Sequence, residues 1–140
     1  MLRDRLGYDV RPEPNDEMDR LTEAVIGAAI EVHRALGPGL PENVYENALC
    51  VELKLRQIPF VCQSVQAVYY KEHKVGEMRL DLLICDKLIV ELKAVDALLP
   101  IHKAQVIGYL QLTKLQLALL INFNVRALKD GVRRVIFTPD

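Results

Sequence analysis

The spacing of apolar residues divides the first part of the chain into two helices. Apolar residues recur every three or four positions over 18–36, which predicts a helix that ends at Gly37-Pro38. A second helix is predicted over 41–56, because proline suits its first position and apolar residues again mark its turns. Pro59 disfavours helical backbone in the residue before it, so the chain becomes extended.

Extended segments and one further helix follow. We predict three strands over 60–70, 76–85 and 88–94. A helix opened by Pro100 follows over 100–113, then a strand of continuous apolar residues over 115–122 and a short last strand over 133–137. The order α-α-β-β-β-α-β-β predicts an α/β (α+β) fold with a mixed sheet flanked by helices. We expect residues 1–17 to form a flexible N-terminal extension and residues 18–140 to form a single domain.

Composition fits a globular protein that works away from membranes. The 140 residues are 51% hydrophobic, but no apolar run reaches the roughly 18 residues of a membrane span. The N-terminus lacks the apolar region of a signal peptide, so a cytoplasmic location is expected. The three cysteines have no metal-ligand spacing and are predicted to be reduced thiols.

The charge of the chain is balanced overall and uneven along its length. The net charge of −1 excludes a generally basic nucleic-acid binder. Residues 1–53 carry 5 Lys/Arg against 11 Asp/Glu, whereas residues 54–140 carry 13 against 8. A local phosphate-binding surface in the second part is therefore compatible with the sequence.

The strongest chemical signal is a pair of acids and a lysine on one predicted hairpin. With a turn centred on Asp86, Asp81 falls opposite Glu91, and Lys93 lies two residues further on the same face. Facing like charges destabilise a hairpin unless a cation compensates them. Two acids and a lysine on one surface suit metal-assisted phosphodiester hydrolysis.

The same pattern also fits a mixed, solvent-facing sheet surface. Alternation predicts one apolar face, formed by Leu80, Leu82, Ile84, Leu88, Val90 and Leu92. The opposite face, which carries the charged residues, would then need no function. The hairpin alone does not decide between these two interpretations.

Residues outside the hairpin favour the functional interpretation. Gln105 and Tyr109 are four apart on the third helix and therefore share a face, from which they could contact phosphate or a base. Glu42, in the first turn of the second helix, could bring a third acid to the site. Ordinary packing of Tyr109 and a helix-dipole role for Glu42 are the alternatives. His33, His73 and His102 show no metal-ligand spacing.

Together these residues resemble the PD-(D/E)xK nuclease superfamily, whose restriction-endonuclease-like core has the order αβββαβ. The resemblance is closest to the small bacterial GxxExxY proteins, since Gly39, Glu42 and Tyr45 stand at the three positions of that motif. Gln105 and Tyr109 are similar to the QxxxY element of RecB-like exonucleases. The similar region covers roughly residues 20–137.

The resemblance implies a role for each candidate residue. Asp81, Glu91 and the Leu92 carbonyl would bind Mg²⁺ or Mn²⁺, Lys93 would polarise the attacking water, and Glu42 would complete the catalytic set. Gln105, Tyr109 and Tyr45 would contact the substrate.

The expected function is therefore a metal-dependent nuclease that hydrolyses phosphodiester bonds, with DNA as the expected partner. A non-catalytic module that binds nucleic acid or protein on the same fold is the alternative. A homodimer is left open by the sequence.

Overall fold

A computed structural model of the protein describes residues 16–138. Its three helices are α1 (Asp16–Leu36), α2 (Glu42–Leu55) and α3 (Pro100–Thr113). Its five strands are β1 (Phe60–Tyr70), β2 (His73–Ile84), β3 (Leu88–Lys93), β4 (Leu117–Asn122) and β5 (Val132–Ile136), with a short 3₁₀ helix at Leu128–Gly131. Within residues 16–138, no helix combines the length and the apolar character needed to cross a membrane.

The five strands form one mixed sheet in the order β1-β2-β3-β4-β5. Strands β3 and β4 are parallel, and the other neighbouring pairs are antiparallel. A parallel pair needs a crossover connection, and α3 supplies it between β3 and β4. The predicted order of elements and the predicted mixed sheet with helices are confirmed.

Both faces of the sheet are covered by helices. On one face, α1 and α2 pack on the even-numbered residues of β3, including Leu88, Val90 and Leu92. On the other face, Val106 and Leu110 of α3 pack with Ile89. All six residues of β4 are buried, as expected for a strand enclosed on both faces. The central strands β3 and β4 thus provide a rigid platform for any side chain at their ends.

Several boundaries differ from the predicted ones. Helix α1 begins at Asp16, two residues before the predicted start, and residues 1–15 of the predicted extension lie outside the described residues. The turn between β1 and β2 is shorter than predicted, because Lys71 and Glu72 both have positive φ and close a tight turn. The 3₁₀ helix was not predicted, because four residues are too short to show a period.

The predicted apolar face of β2 is wrong at Leu80. Leu80 packs with Ile89 on the α3 side of the sheet, whereas Leu82 packs on the α1 and α2 side. The pairing of β1 with β2 is interrupted between these two residues, where Gln63 has a φ of 53°. The register is the same on both sides of the interruption, so no residue is inserted; the left-handed backbone of Gln63 is the local departure from the regular strand geometry on which the two-residue alternation depends. Asp81 lies at this break.

Tyr45 is a structural residue at the corner between α1 and α2. Its side chain is 0% exposed, and its ring stacks on Phe123 with centroids 4.7 Å apart. The hydroxyl donates to the Gly37 carbonyl at 2.5 Å and accepts from the Leu40 N–H at 3.1 Å. Tyr45 therefore satisfies backbone groups that the end of α1 leaves open.

Replacing Tyr45 with phenylalanine is expected to lower the free energy of unfolding by about 1–3 kcal/mol. The ring keeps its stacking on Phe123, but one buried carbonyl and one N–H lose their partner. Urea unfolding measures the change, and Tyr69→Phe is the matched control because Tyr69 is 62% exposed. Equal stability of Tyr45→Phe and the wild type would show that the two hydrogen bonds contribute nothing net.

Candidate active site

The β2–β3 hairpin brings Asp81 and Glu91 together. The pairs Leu82–Val90, Leu83–Ile89 and Ile84–Leu88 define a register that, continued by one residue, sets Asp81 opposite Glu91. This is the predicted register. The negative charge of Asp81 helps to raise the pKa of Glu91, so the two carboxyl groups lie close together. The two acids therefore converge instead of lying on opposite faces of the sheet.

At this point of the hairpin, a side chain accepts the hydrogen bond that a backbone carbonyl would accept in a regular ladder. The Leu92 N–H donates to Asp81 Oδ2 at 2.9 Å. Because the N–H and C=O of one strand residue point to the same neighbouring strand, the Leu92 carbonyl also faces β2 and Asp81. The carbonyl and the two carboxyl groups thus lie within one small region at the end of the hairpin.

Glu91 is an unusual buried acid. It is only 4% exposed, and its Oε1 has no hydrogen-bond partner among the described residues. Burial, then the negative charge of Asp81 and the hydrogen bond to its carboxyl, raise the pKa of Glu91 to about 8. The ammonium of Lys93 opposes this shift but does not cancel it. In the metal-free protein, the raised pKa therefore favours the protonated form of Glu91 near neutral pH.

Glu42 approaches the pair from the start of α2. Burial raises its pKa, and the charge of Asp81 raises it further, whereas the charge of Lys93 lowers it. Glu42 therefore lies close enough to Asp81 on β2 and to Lys93 on β3 for their charges to shift its pKa. Helix α2 and strands β2 and β3 thus bring their charged side chains to one place.

Tyr109 of α3 also faces the two acids, whereas no contact within residues 16–138 links Gln105 to them. Burial raises the pKa of the Tyr109 hydroxyl, with smaller contributions from the charges of Glu91 and Asp81. Gln105 is exposed one helical turn earlier. The convergence of Gln105 on the site therefore stays a prediction.

Tyr45 does not reach the site surface. Its hydroxyl is occupied by Gly37 and Leu40, and its ring is enclosed in the core. A fully buried side chain cannot contact a nucleic acid in this conformation, so Tyr45 supports the site only through the fold.

Asn122 is a supporting residue that the sequence prediction missed. It pairs with Lys93 in the parallel β3–β4 ladder and is 2% exposed. Its amide donates to the Val95 carbonyl at 2.9 Å and accepts from the Val95 N–H at 3.1 Å. Asn122 therefore fixes the chain immediately after Lys93. In the sequence, the only indication of this role is that Asn122 is the one polar residue of the otherwise apolar strand LALLIN.

The arrangement fits a divalent cation in donor chemistry. Glu91 Oε1 is buried without a partner, one oxygen of Asp81 is not used by Leu92, and the Leu92 carbonyl faces the same region. Carboxylate and carbonyl oxygens are the ligands that Mg²⁺ prefers. Among residues 16–138, no group of three or more His, Cys, Asp or Glu side chains is placed to hold a metal ion. A cation here would thus take two carboxylates and one carbonyl from the protein.

Comparison with known proteins agrees with the fold. A search of curated proteins found no match to the chain. The family model of the PD-(D/E)XK nuclease superfamily matches residues 19–135, which include all the helices and strands that position the site, apart from a few residues at the two ends. The chain therefore belongs to the PD-(D/E)XK nuclease superfamily.

Proposed function

We propose that the protein is a metal-dependent nuclease that hydrolyses phosphodiester bonds, with DNA as its substrate and Mg²⁺ or Mn²⁺ as its cofactor. Members of the superfamily are usually nucleases and generally use divalent metal ions. We assign Asp81, Glu91 and the Leu92 carbonyl to the metal, and Glu42 and Lys93 to catalysis. We further propose that this chain is of the GxxExxY type.

The buried Glu91 carboxyl is the observation that carries the proposal. A carboxyl group with one unpaired oxygen in a nearly dry site costs stability unless it has a further partner. The negative charge of the facing acid, Asp81, increases the cost of ionising Glu91. A surface ion pair would not need this arrangement, whereas a cation site would use both acids.

The protein side chains have distinct proposed tasks. A bound divalent cation would supply Lewis acidity and lower the pKa of a coordinated water. Lys93, fixed beside Asn122 at the end of β3, directs positive charge toward the phosphate as negative charge develops on it. Glu42 lies near both Asp81 and Lys93 and can accept a hydrogen bond from the attacking water.

Tyr109 and Gln105 are proposed to contact the substrate from α3. Tyr109 faces Glu91 and Asp81, so its hydroxyl can reach a phosphate oxygen near the reacting bond. Gln105 is exposed one turn away, where its amide can donate to a neighbouring phosphate.

A cleavage assay on labelled DNA and RNA, each single- and double-stranded, tests the proposal. Cleavage with Mg²⁺ or Mn²⁺ that stops on addition of chelator is the expected result. Binding of nucleic acid with no cleavage under any of these conditions would instead support the non-catalytic module.

The raised pKa of Glu91 predicts pH-dependent Mg²⁺ binding. The cation binds the carboxylate, so below about pH 8 it competes with the proton on Glu91. The affinity of the protein for Mg²⁺ should therefore fall as the pH drops below about 8, by up to about tenfold per pH unit, and should change little at higher pH. Calorimetric titration at pH 6.5, 7.5 and 8.5 in two buffers measures both the affinity and the released proton.

The stability of the metal-free protein should fall as the pH rises, whereas its affinity for Mg²⁺ should increase. The folded-state pKa lies above the usual value of 4.5, so the folded protein binds more protons than the unfolded chain between these values. The contribution of Glu91 to stability therefore falls as pH rises from 4.5 to about 8. Metal-free Glu91→Gln should lack this contribution. If Glu91→Gln and the wild type show the same pH dependence, the assignment of the titrating group is wrong.

A further inference from the structure

A cavity opens on the α3 side of the sheet, next to the candidate active site. Its volume is about 330 Å³. Leu120 and Val135 of the sheet and Leu98 and Leu99 before α3 line it with apolar surface. Cationic side chains also line it, from α3 and from β5.

The register of the sheet connects this cavity to the acidic pair. Glu91 pairs with Leu120, and Leu120 pairs with Arg133. Paired residues in neighbouring strands share a face, and neighbouring strands are about 4.8 Å apart, so Arg133 lies about 10 Å from Glu91 along one row. The cavity therefore begins one strand away from the proposed metal ligand.

Two cations at the cavity are available to an anion. Lys103 is exposed on α3. Arg133 is exposed on β5, and its Nη1 donates to the backbone oxygens of Asp130 and Val132, which holds the guanidinium in place. Its other N–H groups have no partner among the residues that the structure describes. The guanidinium of Arg134 differs, because it donates to Asp19 at 2.7 Å. In the described part of the chain, no acidic residue lines the cavity.

We propose that this cavity binds one unpaired nucleotide of the substrate strand, beside the nucleotide whose phosphate is cleaved. The base would rest on the apolar surface, and its phosphate would contact Lys103 and Arg133. This proposal rests on the proposed nuclease function and adds a substrate class, single-stranded nucleic acid or a frayed end.

The size and lining of the cavity support an unpaired nucleotide. A volume of about 330 Å³ is at the lower end of small-ligand pockets and suits one nucleotide, not a duplex. Bases in a duplex are stacked and paired, so only a splayed base can enter a pocket. The separation of about 10 Å from Glu91 places the cations beside the proposed metal site, so that a neighbouring phosphate of the same strand can contact them.

Fluorescence anisotropy of a labelled ten-nucleotide strand, with chelator present to prevent cleavage, tests the proposal. The strand and its duplex are titrated, as DNA and as RNA, into the wild type, Lys103→Gln, Arg133→Gln and the control Lys114→Gln. Lys114 follows the same helix at its other end, about 16 Å from Lys103 along the axis.

The wild type should bind a single strand, in DNA or in RNA, more tightly than the duplex. Lys103→Gln and Arg133→Gln should each weaken that binding by about fivefold to tenfold. Each should also lower the slope of log K against log salt by about 0.7, the value for one phosphate contact on a single strand. Lys114→Gln should bind as the wild type does.

Two results would overturn the proposal: equal affinity for duplex and single strand, or wild-type affinity in both Lys103→Gln and Arg133→Gln. Lys103 is exposed, so its variant tests the cavity even if Arg133→Gln loosens β5. If the wild type cleaves nucleic acid and both variants bind the strand as tightly as the wild type does, the proposed cavity is wrong but the nuclease function stands. If binding depends on both Lys103 and Arg133 but the wild type cleaves no substrate, the nuclease function is wrong but the cavity stands.

Discussion

Lys93→Ala is expected to lower the rate of phosphodiester cleavage by about a hundredfold to a thousandfold. Removal of one donor that stabilises transition-state charge has an effect of this size in other enzymes. Metal binding should be largely unchanged, because Lys93 is not a proposed ligand. Lys93 acts on the pKa values of both Glu91 and Glu42, so its ammonium lies in the field where the phosphate would react.

Single-turnover cleavage and calorimetric Mg²⁺ titration of the same preparations separate the two effects. Lys87→Ala is the matched control, since Lys87 lies on the same hairpin but forms an exposed ion pair with Glu17. Gln105→Ala and Tyr109→Phe should reduce cleavage less than Lys93→Ala does. Cleavage at the wild-type rate in Lys93→Ala would mean that the activity comes from a contaminant or from another site.

Asp81→Asn is expected to abolish stabilisation by Mg²⁺ without destabilising the metal-free protein. Asparagine keeps a side-chain oxygen for the Leu92 N–H, so the 2.9 Å hydrogen bond can persist. The substitution removes the negative charge that raises the pKa of Glu91. Without that charge, less free energy is spent on holding the Glu91 carboxyl away from its usual pKa, so the melting temperature of the metal-free variant should equal or exceed that of the wild type.

Thermal melts with chelator and with Mg²⁺ measure both parts of this prediction. At a Mg²⁺ concentration of one hundred times Kd, the wild type should gain about 2.7 kcal/mol, or roughly 5–10 °C in melting temperature. Asp81→Asn should gain little. Asp96→Asn, an exposed acid in the loop after β3, should behave as the wild type does.

A structural role for Asp81 predicts the reverse pattern. If Asp81 mainly pairs with a nearby cation, its replacement should lower the melting temperature of the metal-free protein, and Mg²⁺ should not shift the wild type. That combination would falsify the proposed metal site.

The acidic pair could be predicted because its geometry depends on local sequence. The turn around Asp86 fixes the hairpin register, and the register sets Asp81 opposite Glu91. The buried strand β4 could be predicted from a continuous apolar run for a similar reason. In both cases the information lies within a few residues of the feature itself.

Tyr45, Leu80 and Asn122 could not be predicted in the same way. The orientation of Tyr45 depends on Phe123, the packing of Leu80 depends on a break in β1, and Asn122 acts on Val95 across two elements. Each depends on a partner that is distant in sequence, and neither a helical nor a strand period carries that information.

The sequence by itself determined the order of elements, the mixed sheet and the hairpin that carries the two acids and Lys93, because apolar spacing and turn residues act locally. Only the tertiary structure decided the electrostatics of the site. The pKa of Glu91 rises to about 8 because the fold buries its carboxyl and sets the charge of Asp81 beside it. The cavity with Lys103 and Arg133 likewise exists only because α3 crosses above β4 and β5, and the chain reaches those strands after α3.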